Sequence, residues 1–185
     1  MANGILKVGD IQTSSGSGTI NIGQSGETVN FPTGVTVSGL TNTPAFFVFL
    51  SSGQSLSDNT MTKVAFDSES FDTDNAFASN KFTVPSSKAG KYLFTTNCQM
   101  DSGSASNGND FQVNFYKNGS SIGGARDLML NNPIQQIGIT RVVVIDLSVS
   151  DYIEVFAKVD SVSGSGQNVA GGSDFRTSFS GFKLT

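Results

Sequence analysis

The chain has 185 residues, a formal net charge of -4 and only 14% charged residues, with 15 Phe, no Trp and no His. That length suits one ordinary domain with an appendage, and the scattered Lys and Arg form no basic stripe for nucleic acid. Without histidine the commonest general base and metal ligand is missing, so no Ser-His-Asp or Cys-His centre can form within one chain.

The opening MANGILKVGDI has no charged region followed by a long apolar run, so no secretory leader is visible. The longest apolar runs, AFFVFL (45–50) and VVVI (142–145), are too short to span a bilayer. The single Cys98 makes no internal disulfide. Together these features predict a chain made and folded in a reducing cytoplasm, without membrane insertion.

Residues 1–43 are thin in bulky side chains and read as very short β steps, TINIG, SGETVNFPTG and VTVSGL. Ile20, Ile22, Val29, Phe31, Val35 and Val37 alternate with Thr, Asn and Ser, and Gly23, Gly26 and Gly34 mark corners. So few apolar side chains close no core of their own, so an ordered segment needs copies of itself or a partner; a flexible Gly/Ser linker is the alternative, disfavoured because the alternation persists through the turns.

From Pro44 onward the apolar residues repeat at spacing two and predict about eight strands, with no helix. They are AFFVFL (45–50), TKVAFD (62–67), KFTV (81–84), KYLFTTNCQM (91–100), FQVNFYKNGSSIGG (111–124), ITRVVVIDL (139–147), DYIEVFAKV (151–159) and RTSFSGFKL (176–184). AFFVFL is apolar at both parities and is expected to be buried on both faces. Asn118-Gly119 between alternating runs is a strong hairpin signal. SGSASNGN (102–109) and SVSGSGQNVAGGS (161–173) are long polar loops, the usual carriers of binding.

Taken in order, residues 44–185 resemble the globular head domain of complement's first component, a jelly roll shared with the tumour necrosis factors. The resemblance rests on Phe82, Val84, Pro85, Gly90, Tyr92 and Phe94, on VNFYKNGSSIG, on VVVIDLSVSDYIEVFA and on the terminal FSGFKL. Ser150 departs from it, standing where the family has Gly before Asp151. The resemblance implies an all-β, tumour-necrosis-factor-like jelly-roll sandwich that assembles as a homotrimer. It also implies that the last strand lies centrally in the inner sheet, clamped on both sides. Residues 1–43 resemble the N-terminal segments of bacteriophage tail-fibre and virion-decoration proteins, in which short β repeats wrap three chains into a stem.

Candidate chemistry is sparse. Cys98 shares parity with Phe94 and Met100 and reads as a small buried apolar residue. The stretch FDSESFDTDN gathers Asp67, Glu69, Asp72 and Asp74, oxygen ligands of the kind calcium takes, but it fails the helix–loop–helix calcium pattern and reads as a solvated loop. No catalytic residue and no cofactor is expected. The Phe excess is read as lining in part the threefold interface that the resemblance implies, the alternative being that every Phe fills the monomer core, and the candidate core and interface set is Phe47, Phe49, Tyr92, Phe94, Phe179, Phe182 and Leu184.

These readings converge on a non-enzymatic virion protein, a homotrimeric phage fibre or spike. Residues 1–43 form its attachment and stem, contacting other tail or capsid proteins. Residues 44–185 form its exposed knob, facing a host-surface glycan or protein. A capsid decoration protein is the alternative, followed by a tail-borne polysaccharide-degrading enzyme.

Overall fold

The computed structural model describes residues 11, 20, 22, 24–35 and 43–184. The chain divides into two units, Met1–Leu40 and Thr41–Thr185. In the first, residues 24–35 form turns rather than the expected β step. Gly26 and Gly34 take positive φ of 91° and 93°, and the Glu27 and Val35 amides donate to the carbonyls of Gln24 and Pro32. The predicted corners are thus real turns. Val29 and Phe31 between them remain exposed, with no ladder partner among the described residues. Gly23 and Val37 lie outside the described residues.

The second unit is built from thirteen strand segments: β1 (Ala45–Phe49), β2 (Gln54–Ser55), β3 (Thr62–Lys63), β4 (Ser68–Asp72), β5 (Phe77–Ala78), β6 (Lys81–Thr83), β7 (Gly90–Asp101), β8 (Gly108–Lys117), β9 (Ser120–Leu128), β10 (Gln136–Leu147), β11 (Tyr152–Ser161), β12 (Asn168–Val169) and β13 (Ser178–Lys183). No helix occurs among the described residues.

Two antiparallel sheets form a sandwich. The first runs β4–β1–β13–β7–β10, with β12 and β2 continuing from the far part of β7; the second runs β5–β6–β11–β8–β9, with β3 also on β11. The C-terminal strand is clamped as the resemblance implied: Phe179 lies opposite Thr96 of β7 on one side and Val48 of β1 on the other.

Strict alternation along the strands decides what is buried. Phe46, Phe82, Phe94 and Phe179 meet between the sheets with ring centroids 4.9–6.3 Å apart. Gly181 makes this possible, because a Cβ there would sit 2.3 Å from the Phe94 ring. The FSGF motif therefore reads as one inward Phe, one gap filled by a neighbouring ring, and an outward Phe. Asn118 and Gly119, both at positive φ, close the β8–β9 hairpin where the sequence placed it.

Three expectations are corrected. TKVAFD is not one strand, and only Thr62–Lys63 pairs with β11. Beyond it the Gln54 carboxamide substitutes for a strand, donating to the Lys63 carbonyl and accepting from the Ala65 amide, both at 2.8 Å. AFFVFL is not buried on both faces, since Phe46 and Val48 are buried while Phe47 and Phe49 are only half-buried. Part of the acidic loop is β4, an edge strand paired to β1. Phe71 is its one bulky apolar residue, so its pattern carries too little alternation to be recognised.

Candidate assembly face and loop rim

The outward face of the first sheet carries an apolar band. Cross-strand register aligns Ala45, Phe182, Leu93 and Val144 in one row, and Phe71, Phe47, Ser180, Thr95 and Val142 in the next. Phe175, held at φ 57°, packs edge-on against both Phe47 and Phe49 at 5.2 and 4.8 Å. Phe71, Val142, Val144, Phe175 and Phe182 are all exposed, Phe182 at 41% and Val144 at 57%. Soluble chains rarely leave such a contiguous band uncovered.

Alternation sorts the predicted set into two groups. Tyr92, Phe94 and Phe179 point inward and are buried. Phe47, Phe49 and Phe182 point outward onto the band, and Leu184 is half-buried beside them, its amide donating to the Lys91 carbonyl. Sequence reasoning missed Leu93, Val142, Val144, Phe71 and Phe175 as members of the band. Strand parity relative to Phe94 was the available signal for Leu93.

The four acidic candidates are not brought together as ligands, and no group of three metal-ligating side chains occurs among the described residues. Asp67 accepts hydrogen bonds from the Ser51 amide and hydroxyl at 2.6 and 2.9 Å. Burial pushes its pKa up, but its hydrogen bonds together outweigh that and hold it below the usual value. Asp72 accepts from the Phe77 amide at 2.7 Å, and Asp74 accepts from the Thr73 hydroxyl and lies 3.6 Å from the Lys88 ammonium. Glu69 is exposed. Each of the three aspartates thus has its own structural task. Cys98 is buried beside Thr96, and burial pushes its thiol up to about 12, so it stays protonated at neutral pH.

The two ends of the head differ. The chain arrives at Pro44, level with Lys183, whose amide donates to the Pro44 carbonyl. The same end holds the turn at Ser148–Asp151 and the Asn118-Gly119 hairpin, joined by the Lys117–Asp151 ion pair at 2.8 Å. At the opposite end lie the two long polar loops, and buried polar groups tie them down. Asp58 Oδ1 accepts from the Ser161 amide at 2.9 Å and from the Gln167 amide group at 2.6 Å. Asn107 accepts from the Ser163 amide at 2.9 Å and donates to the Ser102 carbonyl. Ser102, Asn107, Ser161 and Gln167 are all buried, so these loops are presented in one shape despite their polar composition.

On the outer face of the second sheet, Asp110 is buried between Arg126 at 2.8 Å and Lys158 at 2.8 Å. Burial would raise its pKa, but the hydrogen bonds from Arg126, Lys158 and Gln112 prevail and hold it low. This is a structural pin across β9, β8 and β11.

Sheet order, antiparallel pairing and a clamped terminal strand define a jelly-roll sandwich of the complement head type. Among solved structures, the globular domain of the zebrafish complement 1qA protein is similar over 77% of this chain and 98% of its own length, with a TM-score of 0.54 at 15% identity. At that identity the similarity establishes the fold. No protein-family model and no curated protein sequence matches the chain.

Proposed function

We propose that this protein is a non-enzymatic virion component, a homotrimeric phage fibre or spike whose head is exposed for attachment to a host surface. The observation that carries the reading is the apolar band on the outward face of the first sheet. Two further copies around a common axis cover three such bands at once, and cyclic closure sets the three chain entrances at Pro44 side by side. The pinned loops then lie at the end of the head away from Pro44, in three copies, so that weak sites act together.

What narrows the reading to a virion is the resemblance of residues 1–43 to phage fibre and decoration segments, whose exposed Val29 and Phe31 need company. The absence of enzymatic function is supported by the protonated Cys98 and by the occupation of Asp72, Asp74, Asp110 and Asp151 in structural bonds. Gold-labelled antibody against residues 44–185 tests the reading on purified particles. Label at the tail tip or along a fibre is expected. Label spread over the shell favours the decoration role, and unlabelled particles contradict both.

A further inference from the structure

The sandwich has two flanks, where edge strands of its two sheets face each other. On one flank β4 faces the β5–β6 hairpin across a cleft of about 210 Å³. Val48, Phe66 and Phe77 give it an apolar floor, and Asp67 and Glu69 bring carboxylates to it. Asp67 is spent on Ser51, whereas Glu69 is in no ion pair among the described residues.

On the other flank β10 faces β9, and Arg141 lies in the gap. It stands opposite the inward-pointing Thr96, so its side chain leaves the strand toward the second sheet. Its guanidinium comes to rest beside Gly123, with Nη2 3.6 Å from where a side chain would begin. Gly123 brings no side chain of its own to cover it. Arg141 has no ion-pair partner among the described residues, and its Nε is shielded from solvent with no hydrogen bond. Nε is closed to anything outside the chain, whereas the Nη donors reach solvent and make no hydrogen bond among the described residues, so they are the groups a carboxylate arriving from outside would meet.

A closed cyclic assembly joins unlike patches, one flank of each copy against a different flank or face of the next. The two flanks are complementary: one carries a cation without a partner, the other a free carboxylate above aromatic rings. We propose that Arg141 of one copy, from its place beside Gly123, pairs through its Nη donors with Glu69 at the cleft of the next. The inference rests on the trimeric reading and names the contact that fixes its register. The planar guanidinium suits that contact, since it can bind a carboxylate through two donors.

The test is sedimentation of the full chain across a dilution series, with circular dichroism to check folding. Arg141→Glu and Glu69→Arg are each expected to weaken trimer association by on the order of tenfold or more, and the double exchange to recover most of that loss. Arg141→Lys keeps the charge without the fork and is expected to fall between wild type and Arg141→Glu, which secures the test if Arg141→Glu does not fold. A trimer indifferent to both reversals, or a double exchange no tighter than the singles, overturns the pairing while leaving the trimer intact. A wild-type monomer overturns the trimer itself.

Discussion

Ser150 holds φ at 70°, a left-handed conformation that a side chain disfavours by about 1 kcal/mol or more. Its amide donates to the Val84 carbonyl and Asp151 accepts from the Ser148 amide, so the turn forms without a glycine. Ser150→Gly is therefore expected to stabilise the head by about 0.5–1 kcal/mol, read as a higher urea midpoint at unchanged slope. Asp151 itself is held down to about 2, first by Lys117, then by the Asn118 amide group and the Ser148 amide. A carboxyl whose folded pKa is depressed contributes stability that is present above its unfolded value of 3.8 and is lost as pH falls toward 2. Asp151→Asn is expected to lower the melting temperature at neutral pH by about 2–4 °C and to flatten the decline between pH 4 and 2. An unchanged acid profile would show that the clamp contributes nothing. Ser150 was legible as a departure from the motif, but the bonds to Val84, Lys117 and Asn118 that hold the turn join residues more than thirty positions apart and leave no local trace.

At the scale of the strand, one-residue alternation separates core from the exposed apolar band. Phe179 and Phe182 belong to the same six-residue strand, yet the first is buried among Phe46, Phe66 and Phe94 and the second faces outward. Phe179→Ala is expected to cost about 3–5 kcal/mol of fold stability. Phe182→Ser is expected to leave the melting of a diluted head nearly unchanged while weakening self-association. Equal effects on both readouts would remove the distinction. The long strands β7, β8, β10 and β11 were legible because their alternation runs for ten or more residues. The segments β2, β4, β5 and β12 were not. They hold two to five residues, and their pairing depends on neighbours remote in sequence. TKVAFD misled for a related reason: the Gln54 side chain satisfies backbone groups that a strand pattern assigns to a ladder.

For the molecule as a whole, fold class followed from composition and punctuation, whereas the exposed apolar band emerged only when register aligned five strands. Leu93, Val142 and Val144 look like ordinary strand residues in sequence; side by side with Phe47 and Phe182 they form a continuous apolar surface. The loops at the opposite end were legible as long and polar, but their rigidity was not, because Asp58, Asn107 and Gln167 reach their partners across more than fifty residues. The most direct test is the native mass of the purified protein in solution at micromolar concentration, measured for the full chain and for residues 44–185 alone. The expected result for the full chain is three times its 19.3 kDa, with the head alone still trimeric but dissociating at higher concentration than the full chain. A full chain that sediments as a single 19.3 kDa species contradicts the account.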